Sequence, residues 1–223
     1  MILRPGGSYA DYYPNVPAAR IATLRTCLAS VPRRLPLQHE WVRKIPAARL
    51  RRGPTDPPPL LLAPVGYHHV HNRYTRQHAF PSLYLSDGVT TAGHEVSGGP
   101  RRGAPDKLGV PERSWLELVV EASLPDVIDL TDPGTLGQLQ VEEAELTGLP
   151  DPLIVDALGR HPEYEFPQCL GELANELEIG ALQYPSARLT GGVNVVILTD
   201  HLARTGGAVS WTEPVSGVMQ QLP

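Results

Sequence analysis

The sequence predicts an α+β fold in which helices pack against a mixed sheet. Short apolar runs bounded by Pro, Gly or Asp have the length of buried strands, and other segments carry apolar residues at helical spacing. The two kinds of segment alternate irregularly, which disfavours a regular doubly wound sheet. The 24 proline and 21 glycine residues indicate a chain rich in loops.

Length and composition indicate a globular chain with a sizeable core. With 223 residues and 41% hydrophobic content, the chain suits one large domain or one domain with an extension. Its two cysteines, Cys27 and Cys169, exclude a disulfide scaffold and a four-thiolate zinc site. We find no apolar signal segment and no run of about 18 apolar residues, so we expect a cytoplasmic protein without a membrane anchor.

The net charge of -5 conceals a strong asymmetry along the chain. Residues 1–76 contain 12 Arg or Lys and 3 Asp or Glu (+9), whereas residues 77–223 contain 7 and 21 (-14). The commoner meaning of such a split is that the two parts face one another, and an anionic ligand or partner is the alternative. The pattern of basic and stacking aromatic residues typical of nucleic-acid readers is missing, so we do not expect nucleic-acid binding.

The first helix is predicted over residues 20–31. Apolar Ile21, Leu24 and Leu28 recur three to four positions apart there, and Pro32 then interrupts the pattern. A short helix followed by a turn is therefore expected near the start of the chain.

A boundary is predicted near residue 45, where the apolar stretch IPAARL is typical of the first strand of a main body. The proline run TDPPP at 55–59 fits neither a helix nor a central strand and is expected to be a loop. We therefore predict a basic, partly helical extension over residues 1–45 and a catalytic domain over residues 46–223.

Local patterns predict the remaining elements of the body. The strands are SLYLS at 82–86, WLELVVEA at 115–122, DVIDLT at 126–131 and VNVVILT at 193–199. The helices are one that Ser86 or Asp87 caps and that runs through Glu95 to Gly98, two acidic ones at 138–147 and 151–160, and one at 168–180 that Gly180 ends.

Two fragments carry the chemical signal, HNRYTRQHAFPSLYLSDGVTTAGHEV at 71–96 and YPSARLTGGVNVVIL at 184–198. The first supplies a fixed cation and a carboxylate on the following helix, and the second supplies a serine hydroxyl. Delivered from separate segments, these groups are what a pocket needs to hold a dinucleotide diphosphate, to stabilise a developing ribosyl cation and to fix an amide or a ribose hydroxyl.

The combination of motifs resembles the RES domain, a family of bacterial toxins named for its Arg, Glu and Ser. The resemblance covers most of residues 46–200 and rests on an arginine followed by an aromatic residue, the LYL strand, a TA..E helix, a VIDLT-like strand, a Gln-containing helix and YPSAR with a Gly-x-Asn strand. It implies an ADP-ribosyltransferase-like fold that acts on NAD and a partner antitoxin of the Xre type. The site residues it implies are Arg73, Tyr84, Glu95 and Ser186, with Tyr74 and Arg188 as further candidate contacts to NAD.

Each candidate has a role and a plainer alternative. Arg73 can bind a diphosphate through two parallel hydrogen bonds, or it can be a structural arginine, and Arg76 is the substitute if the register of the motif is shifted by one turn. Glu95 can stabilise the ribosyl cation as nicotinamide departs, as carboxylates do in glycoside hydrolysis, or it can be a helix-surface glutamate. Tyr84 can stack on a ring of NAD or belong to the core, and Ser186 can bond the ligand or cap a turn.

Three further features of the sequence bear on the chemistry. Arg188 is a candidate second phosphate contact, and Asn194 is interpreted as structural. A histidine cluster invites a metal interpretation, but a hydrolytic zinc site needs a third ligand and an open position, so no metal is expected and a histidine lining the nucleotide pocket is favoured. The cluster consists of His68, His69, His71, His78 and His94.

The leading hypothesis is therefore an NAD-degrading toxin of a toxin–antitoxin system, acting as an NAD glycohydrolase or phosphorylase on the nicotinamide–ribose bond. A protein ADP-ribosyltransferase with the same pocket is the first alternative, and a catalytically inactive interaction module is the second. The expected partners are NAD as substrate, an antitoxin protein and, as an open possibility, further copies of this chain.

Overall fold

Eight strands of the described chain form one mixed sheet with helices on both faces. The computed structural model describes residues 9–33, 37–46, 72–76, 79–97, 115–148, 162–212, 214 and 217–222, and the statements below concern those residues. The strands are β1 Leu37–Pro46, β2 Ser82–Ser86, β3 Trp115–Leu124, β4 Val127–Asp129, β5 Ala181–Pro185, β6 Val193–Leu198, β7 Ala208–Thr212 and β8 Met219–Leu222. The helices are α1 Tyr9–Tyr12, α2 Ala18–Ser30, α3 Val89–Ser97, α4 Pro133–Leu139, α5 Glu143–Thr147, α6 Glu165–Glu176 and α7 Leu202–Thr205, with short 3-10 turns at Pro162–Tyr164 and Thr199–His201.

The order of the strands is β4-β5-β6-β2-β1-β3-β7-β8, and β4 and β5 are the parallel pair. Strand β1 pairs with β3 along its whole length, and β2 pairs with β6 along all of its residues. Between the two halves, β1 and β2 are paired only at Val42 and Ser86. The sheet is therefore split in the middle, and α3 packs against both strands that border the split.

Alternating side chains place a separate apolar core on each face of the sheet. Leu83 and Leu85 of β2 face the core that contains Trp41 and Trp211. On the opposite face, α2 and α6 cover a core that contains Leu182 of β5. This second face also carries the phenol of Tyr84, which packs at the edge of that core.

The segment before β1 contributes residues to the core that α2 and α6 cover. Leu24 and Leu28 of α2 are fully buried in the same cluster as Leu170 and Leu173 of α6. Residue 45, where the sequence predicts the start of the catalytic domain, lies inside β1 and therefore in the middle of the sheet.

Ion pairs join the basic first part of the chain to the acidic remainder, as the charge asymmetry predicts. Most of these pairs are partly exposed and contribute little to stability individually, but Arg76–Glu172 is buried, at 2.7 Å. The pairs are Arg20–Glu145, Arg25–Glu176, Arg33–Asp126, Lys44–Glu117 and Arg76–Glu172.

The structure confirms the α+β class and most predicted elements. Helix α2 and strands β2, β3, β4 and β6 lie within a few residues of their predicted positions, and α3 runs through Glu95. None of the described helices is long and apolar enough to cross a membrane. The predicted helix at 151–160 and the predicted loop at 55–59 lie outside the described residues.

Several predicted boundaries were wrong. Helix α6 ends at Glu176 rather than at Gly180, because Glu178 adopts a left-handed φ of 57° and turns the chain into β5. The predicted helix at 138–147 is divided into α4 and α5, because Gln140 is also left-handed, at φ 56°. Strand β1 begins eight residues before the predicted position, and β5, β7 and β8 were not predicted.

Gly171 lets helix α6 pass directly beneath the chain at Tyr74. A Cβ at this position would lie 2.0 Å from the carbonyl oxygen of Tyr74, so the backbone there must shift if any side chain is added. We expect Gly171→Ala to lower the free energy of unfolding by roughly 1–3 kcal/mol in urea denaturation, as overpacking does. The control Gly137→Ala, in α4 with no atom near the added methyl, should be neutral or slightly stabilising. Equal effects of the two changes would contradict the close approach.

Candidate active site

A cavity of about 310 Å³ lies where β1 and β2 separate. Strands β1, β2, β5 and β6 and helix α3 contribute its walls, so both halves of the split sheet meet in it. The lining residues are Val42, Arg43, Lys44, Asn72, Arg73, Tyr84, Leu85, Ser86, Ala92, Glu95, Val96, Tyr164, Tyr184, Arg188 and Asn194.

Glu95 of α3 has one carboxylate oxygen held by two donors. The hydroxyl of Ser186 donates to Oε1 at 2.7 Å, and the side-chain amide of Asn194 donates to the same atom at 2.8 Å. Both donors are buried, at 8% and 3% exposure. The second oxygen, Oε2, lies 3.9 Å from Nε of Arg188. Oε1 is thus fixed to the sheet and to the loop after β5, which leaves Oε2 as the oxygen available to a ligand.

The hydroxyl of Ser186 is the donor in its bond to Glu95, because both of its acceptor positions are occupied. The backbone N–H groups of Arg188 and Leu189 both donate to its hydroxyl oxygen, at 3.1 Å each. A hydroxyl has one hydrogen and two acceptor positions, so the remaining hydrogen points to the carboxylate. The turn after Pro185 is therefore organised around this hydroxyl, which both caps the turn and orients the glutamate.

Tyr84 presents a phenol that belongs to a buried polar chain. Its oxygen accepts from the backbone N–H of Tyr74 at 3.1 Å and lies 2.9 Å from the hydroxyl of Thr75, which lies 2.7 Å from that of Ser82. Burial raises the pKa of Tyr84 to about 12, although hydrogen bonds to Thr75 and Tyr74 oppose the rise. The phenol is therefore neutral at physiological pH, and Tyr84 lines the same cavity as Glu95.

Arg73 lies in the cavity wall and also holds the end of helix α5. Its Nη1 donates to the carbonyls of Leu146 and Gly148, at 2.6 and 3.0 Å, and the guanidinium stacks 5.2 Å from the ring centre of Tyr164. These two bonds leave the Nε–Nη2 edge of the guanidinium, which has the geometry for two parallel bonds to a phosphate. Both sequence interpretations of Arg73 thus have a structural counterpart.

Two neighbours of Arg73 face away from the cavity. Arg76 forms the buried ion pair with Glu172 and stacks 4.1 Å from the ring centre of Tyr12, so it does not substitute for Arg73. Tyr74 is fully buried, with its ring 4.5 Å from that of Tyr184, and it does not line the cavity. Tyr74 therefore supports the site from behind, through its N–H bond to Tyr84.

Sequence reasoning missed several lining residues. Asn194, interpreted as structural, bonds directly to Glu95, and its place as the one polar residue in an apolar strand was the available signal. Arg43 and Lys44 were missed because the predicted boundary assigned them to the extension. With Arg73 and Arg188 they place four cations against the single carboxylate of Glu95 among the described lining residues. This charge distribution favours an anionic ligand.

The histidine cluster falls mostly outside the described residues. His94 is exposed on α3, and His68, His69, His71 and His78 are not described. Within the described ranges, no three His, Cys, Asp or Glu side chains come together as a candidate metal site.

Comparisons with known proteins concern the family and the fold of the chain. A model of the RES domain matches residues 46–212. Among solved structures, the chain is similar to one from the crystal structure of the M. tuberculosis MbcT–MbcA toxin–antitoxin complex, with a TM-score of 0.53 and 17% sequence identity over 92% of this chain and 90% of that chain. At this identity the similarity is one of fold. No curated protein sequence matches the chain.

The phenol oxygen of Tyr84 is expected to stabilise the fold. Tyr84→Phe leaves the buried N–H of Tyr74 without this acceptor and should lower the free energy of unfolding by about 1–3 kcal/mol in urea denaturation at neutral pH. Tyr74→Phe is the matched control, because the hydroxyl of Tyr74 is buried with no hydrogen-bond partner among the described residues and its removal should be neutral or stabilising. A larger loss in the control would contradict this assignment.

Proposed function

Because the chain belongs to the RES domain family, we propose that it is the toxin of a toxin–antitoxin pair and that it consumes NAD by cleaving the bond between nicotinamide and ribose. One observation carries the proposal: two buried donors fix Oε1 of Glu95 in the wall of a cavity that also contains four cations. A fixed carboxylate beside cations matches a substrate that carries a diphosphate and develops positive charge on a sugar.

Glu95 acts on the ribose next to the scissile bond. As the bond breaks, its electron pair stays with the ring nitrogen, so nicotinamide leaves as a neutral base and positive charge develops on the ribose. The Oε2 atom of Glu95 stabilises this charge, as a carboxylate does at an oxocarbenium-like transition state. Because Oε1 is already held by Ser186 and Asn194, the carboxylate need not reorganise as the charge appears.

The cations of the cavity bind the diphosphate. Arg73 supplies its Nε–Nη2 edge, and Arg188, whose Nε lies 3.9 Å from Glu95, is close enough to serve a phosphate next to the reacting ribose. The neutral phenol of Tyr84 and the ring of Tyr184 line the same space and offer aromatic faces to the nicotinamide. Substrate binding and charge stabilisation are thus assigned to different residues.

Water or inorganic phosphate completes the reaction by attacking the anomeric carbon. Water would release a proton and give free ADP-ribose, whereas phosphate would give ADP-ribose phosphorylated at that carbon. A protein side chain as acceptor would instead make the chain an ADP-ribosyltransferase.

The partner we propose is an antitoxin protein of the Xre type, in the cytoplasm where NAD is available. The support is the family membership and the similarity of fold to a chain from a toxin–antitoxin complex. The expected behaviour is growth arrest when this chain is expressed alone in bacteria, and no arrest by the folded Glu95→Gln variant.

Glu95→Gln keeps the shape of the side chain and removes its charge, so it should reduce kcat for NAD by about 100-fold or more, the typical effect of losing an electrostatic stabiliser. The measurement is chromatographic release of nicotinamide from NAD by purified protein. Glu143→Gln is the matched control, because Glu143 is an exposed helix glutamate away from the cavity. Unchanged release by a folded Glu95→Gln variant would remove Glu95 from the mechanism.

Arg73→Lys keeps one positive charge but cannot hold the end of α5 and make two parallel bonds to a phosphate at the same time. We expect KM for NAD to rise roughly 10-fold or more with a smaller change in kcat, as removal of uniform binding predicts. Arg204→Lys, in an exposed pair with Glu178, is the control. A change confined to kcat would argue against a role for Arg73 in binding the diphosphate.

The acceptor is identified by running the same assay with and without inorganic phosphate and by mass spectrometry of the products. Free ADP-ribose alone indicates water, and a phosphorylated product indicates phosphate. A mass gain on a protein added from a bacterial lysate, with neither small product, would replace the proposal by the transferase alternative.

A further inference from the structure

We propose that Asn194 is a positioning residue for Glu95 and that Ser86 fixes the orientation of the Asn194 amide, an inference that rests on the role proposed for Glu95. The chain of contacts runs from β2 through β6 to α3. The hydroxyl of Ser86 donates to Oδ1 of Asn194 at 2.7 Å, and Nδ2 of Asn194 donates to Glu95 at 2.8 Å.

Asn194 occupies a place where an amide is costly without partners. It lies in β6, whose other residues are all apolar, and its exposed fraction is 3%. Burying an amide without hydrogen bonds is unfavourable, whereas both of its polar ends are bonded here. The position therefore requires an amide that joins two specific partners.

The two partners define which way the amide points. A carboxylate only accepts, so the nitrogen must face Glu95, and the oxygen then faces the hydroxyl of Ser86. Ser86 is directly opposite Asn194 in the pairing of β2 with β6, so the sheet itself delivers the donor. Without the hydroxyl of Ser86, the oxygen of Asn194 loses this donor, and the amide is held by Glu95 alone.

Asn194 and Ser186 hold Glu95 from structurally different places. Ser186 belongs to a turn, whereas Asn194 belongs to a strand paired on both sides, with Ser86 of β2 and with Tyr184 of β5. Glu95 itself projects from α3, which is also in contact with β1 across the split. Asn194 therefore ties the carboxylate of a helix to the half of the sheet formed by β2, β5 and β6.

Kinetics on two variants and their combination test the positioning role. Asn194→Asp keeps the shape, replaces the donor by an acceptor and brings a second carboxylate against Glu95. We expect kcat for NAD to fall roughly 10- to 100-fold for the lost hydrogen bond to a charged group, and further for the repulsion between like charges, with little change in KM. Ser86→Ala should lower kcat less, by about three- to tenfold, and Ser86→Thr should restore it. Because Ser86 acts through Asn194, Ser86→Ala should have no further effect in the Asn194→Asp background. Asn175→Asp, on α6, is the control.

Three kinetic results would contradict the positioning role of Asn194 or the part of Ser86 in it. A kcat of Asn194→Asp within twofold of the wild type would reject the positioning role of Asn194. Additive losses in the double variant would reject the proposal that Ser86 acts through Asn194. A loss seen only in KM would make Asn194 a substrate contact and would likewise reject its positioning role.

A spectroscopic measurement decides the inference even if the wild type consumes no NAD, in which case the proposed function itself fails. The side-chain amide signals of Asn194 in a ¹⁵N–¹H spectrum are the pair lost in Asn194→Asp. We expect this pair to shift in both Ser86→Ala and Glu95→Gln and to stay in place in Asn175→Asp. An unchanged pair in either of the first two variants would overturn the inference.

Discussion

The pairing of β1 with β2 at one position, Val42 with Ser86, is the constraint on which the site depends. Strands that pair along their length leave no space between them, yet each of these strands is fully paired on its other side. The split is therefore stabilised by its outer neighbours, and α3 fills one side of it. The cavity and the carboxylate that faces it follow from this single departure from regular pairing. Ser86 has two roles. It is the residue of β2 that pairs with β1, and its hydroxyl bonds the amide that holds Glu95.

The residues that surround Glu95 hold one of its carboxylate oxygens and leave the other without a close hydrogen bond among the described residues. A partly buried carboxylate is stabilised by donors, whereas a carboxylate that is to bind a ligand needs a free oxygen. Here both strong donors converge on one oxygen, and the other faces a weakly paired arginine at 3.9 Å. The same division appears in Arg73, whose Nη1 supports α5 while the opposite edge remains for a ligand. In both side chains, the atoms that make structural bonds differ from the atoms to which we assign a chemical role.

The local sequence pattern was sufficient to predict those helices and strands whose own residues show the spacing of apolar positions. The apolar runs of β2 and β6 and the helix bearing Glu95 could be predicted, and the motifs at 71–96 and 184–198 contain Arg73, Tyr84, Glu95 and Ser186, which the fold brings together. The apolar neighbours of Asn194 indicate that its amide needs partners, but only the register reveals that one of them is Ser86. Lys44 was missed for a different reason, since a strand before a proline-rich stretch does not show that it will become central in the sheet.

The central position of β1 has a consequence for how this protein is made. Its neighbours β2 and β3 are synthesised after it, and the helices before it are joined to residues much later in the chain, with Arg25 and Glu176 lying 151 positions apart. Such non-local pairing delays folding until the distant partners exist. The wall of the cavity is complete only when β6 has left the ribosome, so a nascent chain carries Arg73 and Glu95 without an assembled site. On the function proposed above, NAD is therefore not consumed until the translation of this chain is nearly finished.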